Sequence, residues 1–448
     1  MEATEKKAIG EAIRNKQKSY VLQSWNAQKN VNPIPIERAS GIYLYDYEGN
    51  RYADMSSMHV NMNLGYGNQE INDAIRRKLD QYAFVSEAYG DKDRGDLAEL
   101  IIRQMPDNMA KVFFTNAGAD ANENAIKIAR MYTGRKKIFS RYRSYHGSSF
   151  GAGNLTGEPR RFPLEPGIPG FIKFRDPYRY RDALPFDTEE AYTDWCLKRL
   201  EEQIQFEGED QVAAIIMETV TGTNGVIIPP RGYLPGVRKI CDKYGILMVC
   251  DEVMAGWCRT GTMFAFQNFD VKPDLVTFAK GVTCGYVQLG GVVVSKDVAE
   301  YFDDHVLSCG LTYNGHPLAC AAGTACVTYY LEHNIPEHVK TVGKVLGEIL
   351  EDLKAKHVSV GDVRYIGLFS AVELVKDRRT REPLVPFGKD PEGKMKKIIG
   401  ILKQKGFLTF SHENMILVAP PLIITEEQLR EEMKKMDEVL TEVDQTMI

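Results

Sequence analysis

Six short runs in the middle of this chain, at positions 112–114, 137–139, 212–217, 246–250, 275–278 and 291–294, are apolar at nearly every position and often β-branched. A strand that is apolar on both sides of its pleat must be covered on both faces. Between these runs stand helical patterns such as Ala125, Ile128, Ala129 and Tyr132, spaced i, i+3, i+4, i+7. Alternating strand and helix predicts an α/β fold, a mostly parallel sheet wrapped by helices.

The two ends read differently. Residues 1–64 hold a polar helix and then a hairpin, 41–47 and 51–55, turned at Glu48-Gly49-Asn50. After about residue 330 the pattern predicts a helix (336–356), strands (363–375), a helix (392–405), strands (407–418) and a charged last helix from Thr425. The expected organisation is a large domain at 65–330 and a small α+β domain built from 331–448 with help from 1–64.

Composition narrows the function classes. Lys and Arg total 56 against 61 Asp and Glu, a formal charge of −5, so no overall field draws the chain to nucleic acid or an anionic membrane. No apolar run is long enough to span a bilayer, and the opening Met-Glu-Ala-Thr-Glu-Lys-Lys is charged where a signal peptide would be apolar. Eight dispersed cysteines without CxxC pairs fit a reducing compartment, and the expected location is cytoplasmic. No metal site is expected: His305 and Cys309 stand four apart, but nothing in the sequence brings further ligands to them.

In an open parallel sheet, ligands bind beyond the carboxyl ends of the strands. There the sequence places Thr115-Asn116-Ala117-Gly118-Ala119-Asp120 opening into a helix, then Tyr145-His146-Gly147, Glu218, Asp251-Glu252 and Lys280-Gly281. Taken singly, each has an ordinary reading: an N-cap for Asp251, a solvated charge for Lys280, core packing for Tyr145. Lys280, however, follows the apolar Phe278 and Ala279, and desolvation there eases loss of its proton. GxGxxG spacing and a P-loop are both absent, so dinucleotide and nucleotide readings are weak. Pyridoxal phosphate uses the whole set. Its aldehyde forms a Schiff base with lysine, its ring nitrogen needs an acid, and its phosphate suits a helix N-terminus.

The run from Phe113 through Thr115-Asn-Ala-Gly-Ala-Asp-Ala-Asn-Glu-Asn-Ala-Ile-Lys-Ile-Ala-Arg130 resembles class III aminotransferases, the ω-aminotransferases. So do Tyr145-His-Gly147, Met217-Glu218, Asp251-Glu-Val-Met-Ala-Gly-Trp-Cys-Arg-Thr-Gly261, Lys280-Gly281 and Thr312-Tyr-Asn-Gly-His-Pro317, in order. The resemblance runs from about Trp25 to the Ala419-Pro420-Pro421-Leu422 segment. It implies fold type I and pyridoxal 5'-phosphate as cofactor, bound by Lys280, which then shuttles the proton. It further implies that Asp251 pairs with the ring nitrogen, Val253 and Tyr145 cover the two ring faces, and Gly118 and Ala119 present N–H groups to the phosphate. Glu218 orders polar groups nearby or masks an arginine, and Thr312 reaches the phosphate of a neighbouring subunit, which implies a homodimer or a dimer of dimers.

Departures bear on the substrate. Leu64-Gly65-Tyr66-Gly67-Asn68 is similar to the branch acting on β-alanine, taurine and simple amines, yet the stretch Leu408-Thr-Phe-Ser-His-Glu413 lacks that branch's carboxylate-clamping arginine. Arg160 and Arg161, in the loop after Gly147, are the nearest candidates for the substrate anion. The expected reaction moves a terminal amino group from a small ω-amino acid or amine, of taurine or β-alanine type, to 2-oxoglutarate or pyruvate. An aminomutase, racemase or decarboxylase on the same scaffold, or a non-catalytic binding protein that kept the fold, are the alternatives.

Overall fold

The computed structural model describes residues 3–182 and 184–447. Its centre is a seven-stranded sheet. In chain order its strands are β1 (Met109–Thr115), β2 (Lys137–Arg141), β3 (Phe171–Phe174), β4 (Val212–Glu218), β5 (Leu247–Asp251), β6 (Leu275–Phe278) and β7 (Gly290–Ser295). In space they run β1-β7-β6-β5-β4-β2-β3. The pairs β3–β2, β2–β4, β4–β5 and β5–β6 are parallel; β7 alone is antiparallel, to both β6 and β1. Every residue of β4, β5, β6 and β7 is buried, the two-sided cover that their mainly apolar sequences require.

The fold class agrees with the sequence reading, with one strand added. Phe171–Phe174 is an edge strand, half-buried over three of its four residues, so it lacks the all-apolar signature. The ends of the chain share a second sheet: Ile36–Ser40, Tyr43–Asp46 and Arg51–Asp54 form an antiparallel set, and Phe407–Leu408 adds in parallel beside Ala53 and Asp54. A third sheet is built around the hairpin Val360–Ile366 and Phe369–Asp377 with Met415–Val418 and Ser411–His412. The final helix, Glu426–Thr446, starts at Thr425, whose side chain and that of Gln428 cap each other's backbone N–H groups. Among the described residues no helix is long and apolar enough to cross a membrane.

One turn breaks the local rules. Ser57, Met58, His59 and Val60 all have positive φ, 47°, 46°, 65° and 60°, which makes a left-handed helical turn. For non-glycine residues this costs about 1–2 kcal/mol each, so it persists only where the surroundings over-determine it. Here buried Asp54 accepts from the Ser56 and Met58 N–H groups at 3.1 and 3.2 Å. Fully buried Arg259 donates to Ser57 Oγ at 3.0 Å and to Asn63 Oδ1 at 2.9 Å, with its other Nη on the Leu368 and Pro420 carbonyls.

Candidate active site

At the carboxyl edge of the sheet lies a cavity of about 560 Å³, lined by Gly118, Ala119, Tyr145, Glu218, Asp251, Val253 and Lys280 among others. Register explains the convergence. Glu218 pairs with Asp251 across β4 and β5, and Asp251 with Thr277 across β5 and β6, which puts these strand ends in one row. Lys280 follows β6 directly and is itself strained, at φ 49°.

Asp251 is 2 % exposed and fully engaged. Oδ2 takes hydrogen bonds from Asn122 Nδ2 (2.8 Å) and meets His146 Nδ1 (2.7 Å), and Oδ1 accepts from the Val253 N–H (3.0 Å). A buried carboxylate fixed this way presents its charge in one orientation. Its neighbour Glu252 points the other way, into the core, and accepts from Thr219 Oγ1, Ala265 N and Phe266 N. Glu218 is also buried; it accepts from the Tyr145 N–H at 3.0 Å and the Gly222 N–H at 2.6 Å, so it fixes the loop that carries Tyr145. Burial raises its pKa. Burial also brings Lys280 down from 10.5 to about 8, against the opposing pull of Asp251 and Glu218. An amine poised there is a usable nucleophile and proton carrier near neutral pH.

The helix Gly118–Thr133 opens on the same cavity, and its N-cap Ala117 offers no side-chain cap. Its first N–H groups are therefore left for an anion. Glycine is needed there: a Cβ at Gly118 would lie 2.8 Å from Val253 Cγ1 and 2.9 Å from Cγ2. An uncapped helix start, a fixed buried acid and a desolvated lysine around one cavity fit the phosphate, ring nitrogen and aldehyde of pyridoxal phosphate. This is the site of a fold type I pyridoxal-phosphate enzyme.

Comparison with known proteins narrows the class. Residues 25–440 match the model of the family "Aminotransferase class-III". The chain is 34% identical to the taurine–pyruvate aminotransferase of Bilophila wadsworthia over 96% of both chains, and 33% identical to the putrescine–pyruvate aminotransferase of Pseudomonas aeruginosa over 88% of both. The crystal structure of taurine:2-oxoglutarate aminotransferase from Bifidobacterium kashiwanohense, in complex with pyridoxal phosphate and glutamate, superposes with a TM-score of 0.96 at 53% identity, covering 98% of this chain and 99% of that one. The chain belongs to the class III aminotransferases and is a pyridoxal-phosphate-dependent ω-aminotransferase.

A second cavity, of about 800 Å³, adjoins the first and shares His59, Tyr145, Met254 and Lys280 with it. Arg160 lines this second cavity. Its guanidinium lies 3.9 Å from the Tyr145 ring centroid and 5.0 Å from that of Trp25, and its Nε is bonded to buried Glu158. Arg160 Nη2 is buried without a partner. Arg161 lines neither cavity and is spent on Glu165 and the Gly157 carbonyl. The arginine-free stretch 409–413 does line the second cavity, where His412 is half-buried and its pKa is brought down to about 4 by desolvation, Arg160 and Arg143. Thr312 is exposed on the loop before the helix Pro317–Glu332 and lies outside both cavities of its own chain.

Sequence reasoning passed over His146, Asn122, His59 and Trp25. Asn122 stands four residues after Gly118, one helical turn along the same face, which is a usable signal. His146 sits inside the quoted Tyr-His-Gly motif. Trp25, at 6.2 Å edge-on to Tyr145, and His59 carry no such mark.

Proposed function

We propose that this enzyme moves the terminal amino group of a small ω-amino acid bearing an anion, of taurine or β-alanine type, to a 2-oxo acid, 2-oxoglutarate or pyruvate. The observation that carries the reading is Arg160, whose guanidinium lies close to both the Tyr145 and Trp25 rings in the cavity that also reaches Lys280. A guanidinium suits carboxylate and sulfonate oxygens, and burying those anions without a partner is costly. The names of the relatives that act on taurine lend the same support.

When bound, pyridoxal phosphate supplies an aldehyde that condenses with amines and a ring that accepts the electron pair of the adjacent C–H bond. Lys280 would hold it through its side-chain nitrogen, and the same amine would be the group that accepts and returns a proton in the cavity. Asp251, backed by His146 and Asn122, keeps a negative charge against the ring nitrogen. Val253 and Tyr145 confine the ring faces, the N–H groups of Gly118 and Ala119 take the phosphate, and Glu218 fixes the Tyr145 loop. Thr312 serves the phosphate site of a second copy in a homodimer. Residues 65–330 act as the large domain, and 1–64 with 331–448 as the small one, in a cytoplasmic enzyme. The test is a donor-by-acceptor screen that follows 2-oxo-acid consumption with and without the amino product. Turnover confined to neutral amines would overturn the anionic-donor reading; an amino group that returns to its own donor would indicate an isomerase.

A further inference from the structure

The left-handed turn Ser57–Val60 has a cost in backbone strain, and two buried charges, Asp54 and Arg259, are committed to holding it. Strain of this kind is retained where it places something that relaxed backbone would not. What the turn places is His59, whose side chain lines both the cofactor cavity and the adjoining one. Val60, the next residue, is buried in the core, so the turn separates one inward anchor from one cavity-facing ring.

The imidazole is exposed, and its exposure is to the two cavities. It leans on Phe410 with ring centroids 5.2 Å apart, and neither ring nitrogen has a hydrogen-bond partner among the described residues. Around it Asp251 has three partners and Glu218 two, whereas Arg160 bonds Glu158 and keeps its Nη2 unpartnered. Burial within the site, then Lys280 and Arg160, push the His59 pKa down, which favours the neutral ring, whose one N–H can donate. An unpaired N–H facing the cavity that Arg160 also lines can donate to an anion held there.

We propose that His59 is the second half of the substrate-anion subsite, facing the junction that Arg160 also faces, and that it selects amino donors with a sulfonate or carboxylate over neutral amines. The inference rests on the anionic-donor reading above and deepens it. Arg160 supplies the charge; His59 supplies a directed hydrogen bond to another oxygen of the same group. A sulfonate has three equivalent oxygens and can use both donors at once.

The test uses the holoenzyme and a probe that cannot react: 1-propanesulfonate, with its uncharged counterpart propane-1-sulfonamide as the control, each titrated calorimetrically. His59→Phe keeps the ring packing on Phe410 and removes the N–H; it should weaken propanesulfonate binding about tenfold while moving the sulfonamide little. His59→Gln restores a donor and should recover most of the affinity, with the visible band of the bound cofactor checking that both variants are folded and loaded. In turnover, His59→Phe should raise the KM for taurine or β-alanine and leave kcat near that of the parent. If the two probes weaken equally, or propanesulfonate affinity is unchanged in His59→Phe but lost in Arg160→Ala, His59 has no part in anion recognition. If the parent and Arg160→Ala bind propanesulfonate with the same affinity, the anionic-donor reading itself falls.

Discussion

Lys280→Met should make the cofactor-free protein more stable, and by an amount that depends on pH. Burial brings the amine from 10.5 down to about 8. At about 1.36 kcal/mol per pH unit that difference corresponds to ~3 kcal/mol of penalty on the charged form in the folded protein. The penalty is fully present below pH 8, where the folded protein must keep the ammonium it would rather lose. It shrinks as pH rises from about 8 to 10.5, because over that window the unfolded chain still binds the proton and the folded one does not. Methionine fills the same space without charge, so the variant escapes the penalty. With an unfolding entropy of about 2.1 cal/mol/K per residue, the 448 residues give ~0.9 kcal/mol/K, and the gain should appear as roughly 3 °C in Tm. The assay is paired thermal unfolding of parent and variant apoproteins at pH 7 and pH 10, where the difference between the two proteins cancels all other titrating groups. A gain at pH 7 that collapses at pH 10 is expected. An equal gain at both, or a loss at pH 7, would refute the reasoning that the lysine is held against its own solvation. If Lys280 is the residue that binds the cofactor covalently, adding cofactor should reverse the order, because the parent is then the more stabilised by it.

Further outcomes are expected at neighbouring positions. Asp251→Asn should retain the fold but lower turnover by about a hundredfold or more, read in the single-turnover half-reaction, because the fixed charge proposed to face the ring nitrogen is gone. Gly118→Ala drives a Cβ into Val253 at 2.8 Å; cofactor affinity, measured by equilibrium dialysis, should fall about tenfold, and the double variant with Val253→Ala should recover part of it. Arg160→Ala should raise KM for acidic substrates by about ten- to a hundredfold with little change for neutral amines, whereas Arg161→Ala, whose side chain pairs with Glu165, should leave both unchanged. If Thr312 serves a second copy, Thr312→Ala should weaken cofactor affinity and dimer stability together, seen by sedimentation at falling protein concentration.

The central strands were legible because burial on both faces favours apolar residues, and β4 to β7 depart from this only at a few buried positions, Glu218, Asp251, Thr277 and Ser295. The edge strand at 171–174 escapes that constraint and so left no comparable trace. At the site, Asp251 and Lys280 stood out because a charge directly after an apolar strand is chemically conspicuous. His146 and Asn122 did not, since each acts through another residue and its own neighbours look ordinary. The left-handed turn was beyond reach from sequence. Nothing in Ser57-Met58-His59-Val60 favours positive φ; the conformation is imposed by Arg259, Leu368 and Pro420, hundreds of residues away.

The parallel pairing of Ala53 with Phe407 sets a timetable for synthesis. A ribosome adding about 5–20 residues per second needs ~20–70 s to travel the roughly 350 residues between them. For that interval the early hairpin has an unfinished edge, and the turn that carries His59 lacks the carbonyls of Leu368 and Pro420 that anchor its arginine. The lysine and the acid emerge midway, long before the residues that complete the second cavity. A nascent chain stalled after Lys280 still lacks β7, which joins β6 to β1, and the residues between 388 and 413 that wall the second cavity, so the amine emerges before the burial that poises it.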